Sequence, residues 1–179
     1  MKRILVIGCP GAGKSTFARA LRDRTGLPLW YLDQIWHRPD RTTISRAEFD
    51  ARLTGLLRGD AWIIDGNYLR TLELRLRAAD TVFLLDYPTG VCLEGARARI
   101  GTKREDLPWV EEEFDPEFRQ WIEDFRTSFR RSAACWSGMA KGGKCMFSTA
   151  GLKRMTGCGH SREYEKRRGN APLLFYCAI

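Results

Sequence analysis

The chain has 179 residues, of which 44% are hydrophobic and 29% charged, a composition typical of one globular domain with a sizeable core. No apolar run approaches the ~20 residues of a membrane span, and the apolar run after Arg3 is too short for a signal peptide. The six cysteines contain no CxxC pair, which argues against a zinc ribbon and a disulfide framework. We therefore expect a cytoplasmic protein without a membrane partner.

The net charge of +8 comes almost entirely from the last quarter of the sequence. Residues 1–130 carry 21 Lys and Arg against 20 Asp and Glu, whereas residues 131–179 carry nine against two. Four of the six cysteines also lie in that second segment. This break predicts a domain over residues 1–131 and a basic, Cys-rich tail over residues 132–179. Because the excess charge lies in the tail, it does not indicate a nucleic-acid-binding domain.

The first 131 residues alternate between predicted strands and helices. Short apolar runs predict strands at 4–7, 27–33, 61–65 and 81–86. Helical spacing predicts helices at 14–24, 45–57, 72–79 and 90–101, and a further one that begins after Asp115. Ser45 with Glu48 forms a capping-box pattern, and Asp115 with Pro116 provides an N-cap and a first-turn proline. We therefore predict an α/β fold with a parallel sheet, helices on both faces and ligands at the carboxyl ends of the strands.

The segment GCPGAGKST, here called the phosphate loop, follows the first predicted strand. Its spacing, G-x-x-x-x-G-K-S between a strand and a helix, is typical of a triphosphate-binding loop; the alternative is a chance glycine-rich turn. Lys14 would reach the β- and γ-phosphates, and the Ser15 hydroxyl would bind Mg²⁺. The predicted phosphate-binding residues are Gly8, Gly11, Ala12, Gly13, Lys14, Ser15 and Thr16.

Aspartates stand at the ends of three predicted strands. Asp65 occupies the place where a second Mg²⁺-associated carboxylate is expected, although an Asp before a glycine also serves as a turn cap. Asp33 is predicted to bind a substrate hydroxyl or to act as general base, with a plain cap as the alternative. Asp86, followed by Tyr and Pro, is interpreted as structural.

Arginines provide further candidates, because mobile guanidinium groups neutralise a phosphoryl group in transfer. Arg97, Arg99, Lys103 and Arg104 resemble a short basic lid, and the alternative is a solvated helix face.

The residues after Asp65 are candidates for binding the acceptor. Asn67, Tyr68 and Arg70 are predicted to do so. Aromatic residues near the strand ends could stack on a ring, although such residues more often belong to the core: Trp30, Tyr31, Trp36 and Tyr68. The two histidines, His37 and His160, have no sequence partners that indicate a metal site or a catalytic base.

Five motifs, in order, resemble one family: GCPGAGKST, LPLWYLDQIW, WIIDGNYLRTLELRL, FLLDYP and FRQWIEDFR. Over about residues 1–131 they are similar to the DNA topology modulation proteins, a family related to adenylate kinase and other small P-loop kinases. The resemblance implies an ATP-binding, kinase-like core. By position it implies that Asp33 and Asp65 face Mg²⁺ and the acceptor, and that Arg99 and Arg104 belong to the lid. The segment IGTKREDLP is shorter than the family's lid.

The tail lacks the helix and final strand that the resemblance implies. We interpret it as a frameshifted reading of the gene. A shifted codon consists of the third base of one residue's codon and the first two bases of the next residue's codon. At junctions 135–136, 139–140, 146–147 and 155–156 these shifted codons must encode Leu, Gly, Val and Asp. Those residues fit a helix, a turn and a strand. We therefore expect a disordered tail and a sheet whose final strand is missing or replaced. The alternatives are a genuine basic tail, a second phosphate loop over 138–145, and a metal cluster of Cys135, Cys145, Cys158 and His160.

The sequence thus predicts a phosphotransferase that uses Mg²⁺ and ATP on a small-molecule or nucleotide acceptor. The second hypothesis is a nucleotide-binding regulator or slow NTPase, which would use the same loop without an acceptor. A DNA-associated ATPase is the weaker third hypothesis. The oligomeric state, the acceptor and the preferred base cannot be read from these residues.

Overall fold

The computed structural model describes residues 1–137 and 173–177. The strands are β1 (Arg3–Gly8), β2 (Leu29–Tyr31), β3 (Trp62–Asp65), β4 (Thr81–Leu85) and β5 (Leu173–Cys177). The helices are α1 (Lys14–Thr25), α2 (Leu32–Trp36), α3 (Arg46–Leu57), α4 (Leu69–Ala78), α5 (Thr89–Arg97) and α6 (Pro116–Ser137). None of these helices is long and apolar enough to cross a membrane.

The five strands form one parallel sheet in the order β2-β3-β1-β4-β5. The chain moves from β1 to β2 in one direction along the sheet and from β3 through β4 to β5 in the other. Because such crossovers are right-handed, α1 lies on one face while α4 and α6 lie on the other. Strand β1 is covered on both faces, and its residues 4–7 are at most 3% exposed. The predicted α/β fold with a parallel sheet is confirmed.

The predicted helix starts have the expected capping contacts. Ser45 Oγ accepts a hydrogen bond of 3.1 Å from the Glu48 backbone N–H at the start of α3. Asp115 Oδ1 accepts one of 2.9 Å from the Glu117 backbone N–H at the start of α6. Both contacts satisfy N–H groups that have no partner within their own helix.

Strand β2 is shorter than the sequence pattern predicts, and this moves Asp33. The strand ends at Tyr31, and the chain enters α2 at Leu32. Asp33 therefore lies in the first turn of a short helix, whereas the sequence predicted that it ends a strand. The run LWYLD suits either structure, because its apolar residues alone do not distinguish a strand from a buried helical turn.

The sequence predicted that the final strand is missing or replaced, and the structure shows a segment of the tail in its place. Helix α6 continues to Ser137, and Leu173–Cys177 forms β5, which pairs with β4 from Thr81 to Leu85. The apolar, aromatic run LLFYC thus occupies the place of the final strand and covers the edge of β4 with main-chain hydrogen bonds. The predicted disorder of the tail stays a prediction. The segment considered as an alternative second phosphate loop, together with Cys145, Cys158 and His160, lies outside the described residues.

Candidate functional site

The phosphate loop is held against its neighbours by close main-chain contacts. A Cβ atom at Gly11, whose φ is +80°, would lie 1.9 Å from the carbonyl oxygen of Cys92 in α5. A Cβ atom at Gly8, whose φ is +144°, would lie 2.2 Å from the carbonyl oxygen of Leu85. Only glycine fits such positions. These two glycines therefore let the loop pack against β4 and α5.

Asn67, which follows β3, binds this loop through two hydrogen bonds to Gly8. Its Oδ1 accepts a hydrogen bond of 3.1 Å from the Gly8 N–H, and its Nδ2 donates one of 2.9 Å to the Gly8 carbonyl oxygen. The side chain is buried. The sequence predicted that Asn67 binds the acceptor, whereas the structure engages both ends of its amide with the chain itself, so we do not retain it as an acceptor ligand.

Lys14 belongs to the phosphate loop and is the first residue of α1, as predicted. Its Nζ donates a hydrogen bond of 3.0 Å to the Cys9 carbonyl oxygen. Burial lowers the pKa of this amine, and the carboxylates of Asp65 and Asp33 oppose that shift. Both aspartates therefore lie near the lysine, which places three predicted residues in one electrostatic cluster.

Asp65 ends β3 inside the molecule, with only 5% of its surface exposed. Burial raises the pKa of its carboxyl to about 6, while Lys14 and the Ser15 hydroxyl act in the opposite direction. Its Oδ1 atom is buried and has no hydrogen-bond partner among the described residues. A buried carboxylate oxygen without a partner requires an explanation, and a cation ligand is one.

The residues that could hold Mg²⁺ are Ser15 and Asp65, as the sequence predicts. A hydroxyl and a carboxylate are oxygen donors of the kind that Mg²⁺ prefers. The Ser15 hydroxyl lies beside the Asp65 carboxyl, whose second oxygen is unpaired. This donor set fits a magnesium ion that also contacts phosphate oxygens.

Asp33 faces the same cluster from α2 and is held by Tyr68. The Tyr68 hydroxyl donates a hydrogen bond of 2.8 Å to Asp33 Oδ1. Burial and the nearby Asp33 raise the pKa of Tyr68, so this phenol is a donor throughout the neutral range. Tyr68 itself stacks on Phe49, with ring centroids 5.1 Å apart. Tyr68 therefore contacts Asp33, the candidate acceptor-side carboxylate, and is also part of the packed core.

Arg75 is an important residue that sequence reasoning missed. Its side chain, in α4, is fully buried and donates to the carbonyl oxygens of Gly66, Asn67 and Tyr68, at 2.7 Å for Gly66 and 2.9 Å for Tyr68. Burial lowers the pKa of this guanidinium to about 9. Arg75 thus satisfies three consecutive carbonyl groups of the segment that follows Asp65. The sequence offers no signal for it, because the run LELRLR reads as an ordinary amphipathic helix.

A cavity of about 990 Å³ lies at the carboxyl ends of the strands, and its lining includes Lys14, Ser15, Asp33, Asp65 and Tyr68. The charged groups that line it come from four parts of the chain: Lys14, Asp33, Arg41, Asp65, Arg99, Arg104, Asp106, Glu111, Glu112, Glu113 and Asp115. Aromatic residues form much of the remaining wall: Trp36, Tyr68, Trp109, Phe114, Phe118, Trp121 and Phe125. A single cavity therefore unites the phosphate loop, both candidate aspartates and the predicted lid.

The two lid arginines differ in their surroundings. Arg104 is 16% exposed, and its Nη1 and Nη2 lie 3.2 Å from Asp106 Oδ2 and 3.0 Å from Glu111 Oε2. Arg99 is 22% exposed, and its Nε lies 3.2 Å from the same Glu111 oxygen, while its guanidinium stands 5.1 Å from the centre of the Phe118 ring. Arg97 does not line the cavity and lies over Phe114.

Arg70 is placed away from the cavity, against the prediction that it anchors the acceptor. Its two terminal nitrogens bind both oxygens of Asp50 in α3, at 2.8 Å and 2.6 Å. Both side chains are about half exposed. Arg70 therefore connects α4 to α3 on the outside of the molecule.

His37 and the aromatic candidates also have defined positions. His37 lines the cavity and meets Trp109 edge to face at 4.9 Å, and its buried Nδ1 has no hydrogen-bond partner among the described residues. Burial lowers the pKa of His37, which favours the neutral imidazole. Trp36 packs on Phe49, Tyr31 is buried, and Trp30 is exposed and does not line the cavity.

Comparisons with known proteins support the fold. No family model matches the chain, and no curated protein matches it in sequence. A shikimate kinase structure from Bacteroides thetaiotaomicron is similar with a TM-score of 0.50 at 19% identity, over 73% of this chain and 81% of that chain. A sugar kinase from a Janibacter species is 22% identical with a TM-score of 0.43, over 75% and 97% of the two chains. The chain therefore has a fold similar to that of the Bacteroides shikimate kinase structure, whereas the resemblance to DNA topology modulation proteins stays a prediction.

Proposed function

We propose that this protein is a kinase that transfers a phosphoryl group from Mg²⁺-bound ATP to a hydroxyl group of a small molecule. One observation carries the proposal: Lys14 of the phosphate loop, buried Asp65 and Asp33 line one cavity and act on one another electrostatically. Phosphoryl transfer needs a phosphate cradle, a cation and a group that receives the acceptor proton, and these residues provide all three kinds of chemistry.

Each residue has a separate task in this proposal. The N–H groups of the phosphate loop and the Lys14 amine bind the β- and γ-phosphates. Ser15 and Asp65 hold Mg²⁺, which when bound supplies positive charge next to the phosphate oxygens. Asp33 orients the acceptor hydroxyl and accepts its proton. Tyr68, through its hydrogen bond to Oδ1, leaves Oδ2 of Asp33 to face the acceptor.

The cavity also favours a small acceptor. Aromatic side chains cover much of its wall, and they exclude water from a reacting phosphate group. Exclusion of water separates a kinase from a slow NTPase, in which water itself accepts the phosphoryl group.

An acceptor screen with ATP and Mg²⁺ tests the proposal, with ADP formation as the readout. With an active acceptor, Asp33→Asn should lower transfer by about 10²–10⁴-fold while ATP affinity stays within a factor of a few. Asp50→Asn is the matched control, because Asp50 is an exposed carboxylate that does not line the cavity. Acceptor-independent hydrolysis that Asp33→Asn leaves unchanged would favour the slow NTPase, and hydrolysis that requires DNA would favour the DNA-associated ATPase.

A further inference from the structure

Arg99 and Arg104 differ in the ion pairs that they form around Glu111, although the sequence predicts the same role for both. Glu111 Oε2 lies 3.0 Å from Arg104 Nη2 and 3.2 Å from Arg99 Nε. Asp106 Oδ2 lies 3.2 Å from the other terminal nitrogen of Arg104. Both Nη atoms of Arg104 therefore already have carboxylate partners.

Arg99, by contrast, approaches Glu111 most closely through Nε, at 3.2 Å from Oε2, and this Nε has no hydrogen-bond partner among the described residues. Among the side chains that the structure describes, no second carboxylate forms an ion pair with Arg99. The guanidinium plane is supported at 5.1 Å by the Phe118 ring, an arrangement that limits its rotation without using its donors. Arg99 therefore has one carboxylate partner where Arg104 has two, which leaves guanidinium donors for a ligand such as phosphate, whose oxygens a guanidinium can bind in pairs.

The position of Arg99 relative to the phosphate loop supports this reading. Burial lowers the pKa of Lys14, and Arg99 adds a smaller contribution of the same sign; burial also lowers the pKa of Arg99, which Asp33 opposes, so the guanidinium lies within electrostatic reach of both predicted reaction partners. All three residues line the same cavity. A cation at this place would meet the phosphoryl group between the nucleotide and the acceptor.

We infer that Glu111 is a positioning residue for phosphoryl transfer: its ion pair with Arg99 holds that guanidinium facing the transferred group, and its ion pair with Arg104 is structural. The inference rests on the proposed kinase function. Glu111 itself does not touch the phosphates. Its second contact, from the Gly101 N–H to the Glu111 carbonyl oxygen at 2.7 Å, fixes the two ends of the intervening segment to each other.

The test compares binding of MgADP with binding of MgADP plus aluminium fluoride, a mimic of the transferred phosphoryl group. Arg99→Ala should weaken binding of the mimic by about 10³-fold and binding of MgADP by a factor of a few. Glu111→Gln should weaken binding of the mimic by about 10- to 100-fold and leave MgADP binding nearly unchanged, because misplacement affects only the group that Arg99 contacts. Glu117→Gln is the matched control, since Glu117 is exposed and outside the cavity.

The double variant gives the decisive measurement. If Glu111 acts through Arg99, Arg99→Ala with Glu111→Gln should bind the mimic as weakly as Arg99→Ala alone, within a factor of about three. Additive losses would overturn the inference, as would a Glu111→Gln protein that loses MgADP and the mimic equally. A wild-type protein that binds no MgADP would instead refute the proposed kinase function on which the inference rests.

Discussion

The phosphate loop and the lid segment, defined here as residues 98–115, lie on the same cavity but are held in different ways. Main-chain atoms hold the loop: Gly8 and Gly11 touch backbone carbonyl groups of β4 and α5 directly. Side-chain ion pairs hold the lid segment, in which Arg99 and Arg104 share Glu111. A contact between two main chains leaves no space for adjustment, whereas an ion pair tolerates small shifts.

The comparison shows why one half of the site is rigid and the other adjustable. Steric repulsion rises steeply over tenths of an ångström, so the loop has one position relative to the sheet. Coulombic attraction falls gradually with distance, so carboxylates and guanidinium groups can exchange partners when an anionic ligand arrives. We therefore expect substitutions in the loop region to affect folding strongly, and substitutions in the lid to affect ligand binding more than folding.

The largest effect is expected at Gly11. Gly11→Ala would place a methyl group 1.9 Å from the Cys92 carbonyl oxygen at a φ of +80°, so the loop must leave α5. We expect a loss of about 4 kcal/mol or more in the free energy of unfolding, measured by urea denaturation. Gly90→Ala in α5 is the control, because a Cβ there meets nothing within 4 Å, and we expect it to be neutral or slightly stabilising. Equal effects of the two substitutions would contradict the packing argument.

The next effect is expected at Arg75, which supports the segment after Asp65. Arg75→Met keeps the length of the side chain but leaves three carbonyl oxygens without this donor. Because each buried unsatisfied group is costly, we expect a loss of about 3 kcal/mol. Arg77→Met in the same helix is the control, since Arg77 is 74% exposed, and its loss should stay below about 0.5 kcal/mol. Unfolding experiments on both variants check this difference.

The pH dependence of stability follows from Asp65. Its carboxyl has a pKa of about 6 in the folded chain against an ordinary value of 3.8, so the folded state binds the extra proton. The stability that this proton contributes is fully present below about pH 4 and is lost as pH rises through about 6. It amounts to about 3 kcal/mol of the free energy of unfolding at most.

Thermal melts from pH 5 to pH 8 compare the wild type with Asp65→Asn. Relative to the variant, which cannot titrate at this position, the wild type should lose stability over this range. Parallel curves for the two proteins would show that Asp65 does not carry the buried charge.

The rigid half of the site was also the half that the sequence predicted best. The phosphate loop is recognisable because its glycines, lysine and serine must stand at fixed spacings. The cap residues Ser45 and Asp115 were likewise predicted correctly, because a cap and the N–H that it binds are two or three residues apart.

Contacts between distant residues could not be predicted in this way. Asn67 binds Gly8, Arg70 binds Asp50, and the buried Arg75 holds the loop after Asp65; none of these pairings follows a local pattern. Asp33 was assigned to the correct cavity, although it stands on a helix instead of a strand end. Strand β5 was not predicted, because the apolar run LLFYC stands in a segment whose basic, Cys-rich composition is not typical of a buried strand.

The smallest effect concerns the ion pairs themselves and separates a partly buried pair from an exposed one. Arg104→Gln removes contacts to Asp106 and Glu111, which are 8% and 23% exposed, whereas Arg70→Gln removes a pair in which both side chains are about half exposed. Because water and salt screen exposed charges, Arg70→Gln should cost about 0.5 kcal/mol in low salt and less in 1 M NaCl. Arg104→Gln should cost about 1–2 kcal/mol with little dependence on salt. Urea denaturation at both salt concentrations measures the difference, and a loss at Arg104 that vanishes in 1 M NaCl would mean that the lid pairs are as solvated as the surface pair, which would remove the reason for expecting Glu111 to hold Arg99 in place.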